Sequence, residues 1–145
     1  MVFGLDVNHP SFETNGKESV AAVVGSIDQT CSYYAARMVA QKREKRSALE
    51  IIHNLNEPVY QLLLENKKNN PDIKFPQRLV FFRDGVSEGQ FNQVLNHEMN
   101  EIRKACMRID PTYKPRCTFI VVQKRHHSRM FPIRKEHKVY IKILF

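Results

Sequence analysis

The chain reads as an α/β domain built on a mixed five-stranded sheet, in the order β-β-β-α-β-α-β. Three observations predict this. Five apolar runs have strand length, two longer stretches repeat at helical spacing, and the connections change character along the chain. The first three strands are joined by short polar segments, which favour antiparallel neighbours. The last two are joined by a helix, which implies a parallel crossover.

Met1–Val7 forms the first strand, with Asp6 near its end. Ser19–Asp28 forms the second through Val20-Ala21-Ala22-Val23-Val24-Gly25. Between them, 8–18 holds Pro10, Asn15 and Gly16, a polar hairpin connection. Tyr33–Gln41 is the third strand. Ser47 then opens a helix, because Ser47-x-x-Glu50 fits a capping box. Leu49, Ile52, Leu55, Val59, Leu62 and Leu63 follow at helical spacing. Pro58 interrupts that pattern, and an interior proline removes one backbone hydrogen bond, so a kink or break is expected near Glu57. Lys67–Pro76 reads as a polar loop. Arg78–Arg83 is the fourth strand and ends at Asp84-Gly85. Ser87 is an N-cap for a second helix whose apolar stripe is Phe91, Val94, Leu95, Met99, Ile102, Cys106 and Ile109. Cys117–Gln123 is the fifth strand.

The chain has 145 residues, the size of one domain. Hydrophobic residues make up 42% and charged residues 26%, which excludes a wholly disordered or collagen-like chain. No apolar run reaches the ~18 residues of a membrane span, so no membrane partner is expected. The first residues lack a basic segment followed by a long apolar core, so no signal peptide is evident. Cys31, Cys106 and Cys117 form no CxxC pair and read as reduced, structural thiols.

The net charge of +8 is unevenly placed. Met1–Tyr113 carries 14 basic and 14 acidic residues, whereas Lys114–Phe145 carries 9 basic and 1 acidic. The densest part, Gln123-Lys124-Arg125-His126-His127-Ser128-Arg129, follows a strand directly. A basic run at a strand end suits a phosphate backbone. Asp6 and Asp84 both lie at strand ends, where two carboxylates can share one rim. A hard cation such as magnesium takes one or two carboxylates and keeps several waters. From spacing alone the plainer reading is favoured for each: Asp84-Gly85 as a turn and Asp6 as a loop-starting acid.

Four segments carry more specific information. They are Gly4-Leu5-Asp6-Val7-Asn8-His9-Pro10, Ser19-Val20-Ala21-Ala22-Val23-Val24-Gly25-Ser26, Phe82-Arg83-Asp84-Gly85-Val86-Ser87-Glu88-Gly89-Gln90-Phe91, and Phe119-Ile120-Val121-Val122-Gln123-Lys124-Arg125-His126-His127-Ser128-Arg129. In that order they resemble the PIWI domain of eukaryotic Argonaute proteins, over roughly 1–132. The resemblance ends there, and 133–145 read as a divergent basic tail.

The resemblance implies an RNase H-like fold whose C-terminal part is missing from this chain. It implies small-RNA-guided gene silencing, with a small guide RNA and a target RNA as partners and silencing-machinery proteins as further ones. The family is a magnesium-dependent endoribonuclease with a two-ion site, which manganese also suits. Asp6 and Asp84 match its two central metal-binding aspartates, and Glu50 the glutamate that completes the site by insertion. Lys124 and Arg125 match positions that contact the guide backbone. Glu50 keeps its competing role as a helix cap, and His9 is expected to fix a turn before Pro10 rather than bind metal. The family's fourth metal position lies beyond the matching segments, and no PAZ or MID region is recognised. The chain alone is therefore expected to cleave weakly or not at all. The alternative reading is a non-catalytic RNA-binding or protein-interaction fragment. A truncated sheet of this kind is also expected to leave apolar surface uncovered around Phe119–Val122 and Val80–Phe82. The cytoplasm is the expected compartment, with the nucleus as an alternative.

Overall fold

The computed structural model describes residues 1–10, 18–42 and 50–124. The elements follow as β1 (Val2–Asn8), β2 (Ser19–Ser26), β3 (Tyr34–Gln41), α1 (Asn56–Asn69), β4 (Arg78–Asp84), α2 (Phe91–Ile109) and β5 (Arg116–Val122). A 3₁₀ turn at Glu88–Gln90 precedes α2. The strands form one sheet in the order β3-β2-β1-β4-β5. β1 pairs antiparallel with β2, and β2 with β3. β4 lies parallel to both β1 and β5, because each helix carries the chain back along the sheet before the next strand begins. The mixed sheet and its crossover are those expected from the sequence.

Strand alternation divides the side chains between two faces. Phe3, Leu5, Ala21, Val23, Leu79 and Phe81 point to one face and are buried. They share a core with Leu55, Val59, Leu62 and Leu63 around α1 and with Ile102, Ala105 and Cys106 of α2. Phe81 stacks on Phe3 at 4.6 Å and faces Phe119 at 6.3 Å between centroids. The opposite face is open among the described residues. Phe82, Ile120 and Val122 there are 42%, 38% and 41% exposed. Within the two segments expected to show it, the uncovered surface falls on alternate residues, and Val20 of β2 and Met38 of β3 are exposed as well. In those two segments the neighbouring Phe81 and Phe119 lie under the helices.

Several element boundaries differ from expectation. α1 starts at Asn56, not Ser47, and Ser47 lies outside the described residues. Two residues set the later start. Asn54 adopts φ 55°, a left-handed conformation incompatible with a continuous helix. Pro58 becomes the third residue of α1, in the first turn, where its missing N–H has no intrahelical partner to lose. The interruption expected near Glu57 is therefore not a kink within a helix but the start of α1 itself, at Asn56. Ile52 and Leu55, read as helix residues, are buried from the preceding turn. α1 also continues through Asn69, into the segment read as loop. Ser87 caps the 3₁₀ turn without a side-chain bond, and α2 begins only at Phe91. Leu95, placed in the apolar stripe, is exposed, while Glu98 and Glu101 are buried. β2 starts at Ser19 as expected but ends at Ser26, two residues before Asp28; 11–17 of the hairpin connection lie outside the described residues. Cys31, Cys106 and Cys117 are free, and burial pushes the Cys106 thiol up to about 12, which keeps it protonated and inert.

The two adjacent phenylalanines of β4 test the assignment of faces. Phe81→Ala is expected to cost about 3–5 kcal/mol through lost burial and the cavity left behind. Phe82→Ala is expected to cost under about 1 kcal/mol, as at an open surface. Urea unfolding of the two variants measures the contrast, and similar losses would mean that both faces are covered.

Candidate metal centre

β1 and β4 run side by side in the same direction, with Val2 opposite Val80, Gly4 opposite Phe82 and Leu5 opposite Arg83. One step further along this register, Asp6 stands beside Asp84. Both belong to the open face by alternation, as do Gly4 and Phe82. Asp6, Asp84 and Lys124 line one hollow of about 410 Å³ whose floor is Gly4, Ala22, Val24 and Phe82. Gly85 turns the chain away immediately after Asp84 with φ +84°, a conformation strained for any other L-residue. A Cβ on Gly85 would stand 3.6 Å from Asp6 Oδ1, which places the turn against the Asp6 carboxylate.

Each acid has a defined neighbour. Asp6 Oδ1 accepts a hydrogen bond from the Val7 N–H at 2.9 Å. Asp84 Oδ2 lies 2.5 Å from Lys124 Nζ. That hydrogen bond, with the Asp84 charge and a smaller contribution from Asp6, holds the Lys124 ammonium above its ordinary pKa. Lys124 reaches the acids because Val122 is registered with Asp84 across β4 and β5, two residues before it. The Gln123 side-chain amide donates to the Val86 carbonyl at 3.1 Å and fixes the backbone between them.

Glu50 occupies a segment that is neither helix nor strand, so its backbone groups need other partners. Arg83, fully buried, donates to the Glu50 carbonyl and to the Asp84 carbonyl. Its Nε donates to Glu98 Oε1 at 3.1 Å and Oε2 at 3.2 Å, and Glu98 Oε1 also accepts the Ile52 N–H at 3.1 Å. Burial pushes the Glu98 carboxyl up, against the Arg83 charge and the Ile52 N–H. Gln41 donates to the Ile51 carbonyl at 2.9 Å and accepts the His53 N–H at 3.0 Å. The Glu50 N–H reaches Gln90 Oε1 at 3.5 Å. The carboxylate itself meets His9: Nε2 lies 3.0 Å from Glu50 Oε2, and Nδ1 lies 2.7 Å from Ser19 Oγ.

The structure therefore brings Asp6, Asp84 and Lys124 together and holds Glu50 on His9. Among the described residues, no three His, Cys, Asp or Glu side chains gather into a set able to hold a metal ion. Two adjacent carboxylates on an open, water-accessible rim nevertheless fit one hard cation that keeps several waters. Glu50 is not a helix cap, since its helix begins six residues later. His9 does more than fix a turn, because both ring nitrogens have partners. Arg125 lies outside the described residues. Sequence reasoning missed Arg83, Glu98 and Gln41. The signal for the first two was their position: Arg83 shares a strand face with Leu79 and Phe81, and Glu98 lies midway between Val94 and Ile102 on the helix stripe.

A family profile described as Piwi domain matches residues 1–142. Protein argonaute 1D of Oryza sativa subsp. japonica is 41% identical over 141 residues, covering 90% of this chain and 13% of its own length. The C-terminal lobe of a budding yeast Argonaute superposes with a TM-score of 0.75 at 29% identity, over 92% of this chain and 26% of that one. Kluyveromyces polysporus Argonaute, solved with a guide RNA, gives 0.70 at 26% identity, over 86% and 14%. The chain thus spans about an eighth of the length of the rice relative.

The buried pair makes a separable prediction. Arg83→Met leaves the Glu98 carboxylate buried without its cation and is expected to cost about 3–5 kcal/mol. Adding Glu98→Leu is expected to restore most of that stability in urea unfolding. The Ile52 amide, deprived of its acceptor, should still exchange faster than in the wild type. Slow exchange at Ile52 in the double variant would show that the pair does not hold the Glu50 segment.

Proposed function

The chain belongs to the Argonaute family, as a Piwi domain with an RNase H-like sheet, and on that premise we propose that it acts in small-RNA-guided gene silencing. In this reading it binds a small guide RNA paired to a target RNA, in the cytoplasm, and carries the carboxylates of a phosphodiester-cleaving site. The convergence of Asp6 and Asp84 on one rim carries the reading. These two acids would hold magnesium or manganese. When bound, such an ion stabilises charge on the scissile phosphate and lowers the pKa of a coordinated water.

The other residues have roles that follow from their contacts. Gly85 lets the chain turn tightly beside the Asp6 carboxylate without a side chain against it. Arg83, Glu98 and Gln41 fix the backbone of 50–53, and His9 fixes the direction of the Glu50 carboxylate. That Glu50 completes the metal site is proposed on family resemblance; held on His9, its carboxylate is not among the residues that line the hollow of Asp6 and Asp84. Lys124 is suited to bind a phosphate, as a compact cation on a flexible stem. Arg125 is proposed beside it on family resemblance alone.

Two measurements test the reading. Manganese binding, followed by electron paramagnetic resonance, is expected to weaken about tenfold or more in Asp6→Asn and in Asp84→Asn. Unchanged binding in both would remove the metal site. Binding of a small single-stranded RNA in magnesium is expected to fall linearly with salt on a log–log plot. Lys124→Ala should lower that slope by about 1, as for one lost phosphate contact. An unchanged slope would take Lys124 out of the RNA-binding surface.

A further inference from the structure

Lys124 and a metal ion have claims on the same atom. Asp84 Oδ2 lies 2.5 Å from Lys124 Nζ, and the same carboxylate is one of the two that would hold the ion. Asp6 and Asp84 together carry two negative charges, of which the ammonium neutralises one. A divalent cation at these carboxylates would stand next to a like charge at contact distance, which is unfavourable for both. The side chain has somewhere to go. It is 80% exposed, against 25% for Asp84, and hangs on a flexible four-carbon stem. The strand it follows is anchored, because Val122 is paired with Asp84 and the Gln123 side chain is bonded to the Val86 carbonyl. The ammonium swings from that anchor.

We propose that Lys124 is a built-in counter-ion that a divalent cation displaces from Asp84, and that the displaced ammonium then binds a nucleic-acid phosphate. This rests on the reading of Asp6 and Asp84 as metal ligands. Without the divalent cation, the Lys124 charge is consumed within the protein. With the cation bound, the same charge faces outward. Metal and polyanion binding are thereby coupled through one side chain, and the coupling is reciprocal: RNA that holds Lys124 raises the affinity for metal by the factor by which metal raises the affinity for RNA.

Calorimetric titration of manganese into wild type, Lys124→Gln, Lys124→Arg and Asp84→Asn, at constant ionic strength, tests the competition. Lys124→Gln is expected to bind manganese about two- to tenfold more tightly than wild type, the scale of one exposed ion pair and one like charge removed. Lys124→Arg, which keeps the charge, should stay near wild type. Equal or weaker affinity in Lys124→Gln overturns the proposal while leaving the metal reading intact. A wild type that binds no more manganese than Asp84→Asn overturns the metal reading, and the proposal falls with it. The coupling is read by fluorescence anisotropy with a short single-stranded oligouridylate, in manganese and in chelator. Wild type should gain more affinity from the metal than Lys124→Gln does. Identical gains in the two proteins would show that the displaced ammonium finds no phosphate.

Discussion

Arg83 and Glu98 form an ion pair with no exposed side-chain surface, and the position of Glu50 depends on it. Removing two charges from water costs several kcal/mol for each ion, and their attraction offsets this only if the remaining polar atoms are also satisfied. Here they are. Arg83 serves Glu98, the Glu50 carbonyl and the Asp84 carbonyl, while Glu98 also accepts the Ile52 N–H. The pair therefore joins three parts of the chain: the end of β4, the first half of α2 and the irregular segment before α1. A hydrophobic pair of similar volume would fill the same space but could not satisfy the backbone groups of 50–52. Its contribution is to specify where that segment lies, more than to stabilise the fold.

One strand end serves both the core and the rim. In β4, alternation sends Arg83 inward to the buried pair and Asp84 outward to the hollow. Displacement of Arg83 would therefore be transmitted to Asp84 through the one peptide unit that joins them, and Arg83 also binds the carbonyl on the far side of Asp84. β1 repeats the arrangement, with Leu5 in the core and Asp6 on the rim. Both acids lie at the carboxyl ends of parallel neighbours, the end at which ligands meet open α/β sheets. β1 is also where the sheet changes from antiparallel to parallel pairing. The rim is thus a consequence of connectivity: two hairpins place β2 and β3 on one side, and two helical crossovers place β4 and β5 on the other.

The parts legible in the sequence were those set by local pattern. Apolar runs located all five strands, and the helix between the last two implied their parallel pairing. The place of Asp6 and Asp84 at strand ends was legible in the same runs, but their reading as paired site acids came from the resemblance, since spacing alone also suits a turn. The parts that were not legible depend on partners distant in the chain. Ser47-x-x-Glu50 has the form of a capping box, but Glu50 is held by His9, 41 residues earlier, and its backbone by Arg83, 33 residues later. No local rule contains those contacts. The left-handed turn at Asn54 hid the true start of α1, since helical spacing continues through it by coincidence of burial. Arg83 and Glu98 occupy apolar positions in their own elements, and a count that treats charges as solvated passes over them.

Charge illustrates the limit of composition most directly. The excess of +8 arises after Tyr113, which as a linear count suggests one basic stripe for a polyanion. The fold divides it. Lys114 and Arg116 lie at the start of β5 and Lys124 just past its end, so the strand, about 20 Å from its first residue to its last, stands between them. Only Lys124, among the described cations, pairs with an acid of the rim. The local sum over Asp6, Asp84 and Lys124 is negative, so these three side chains together repel a phosphate although the whole chain is basic. A divalent cation reverses the sign, adding two positive charges and returning that of Lys124 to the surface. Electrostatics at the rim thus ties phosphate binding to metal binding, a dependence that follows from three side chains and from no property of the whole-chain charge.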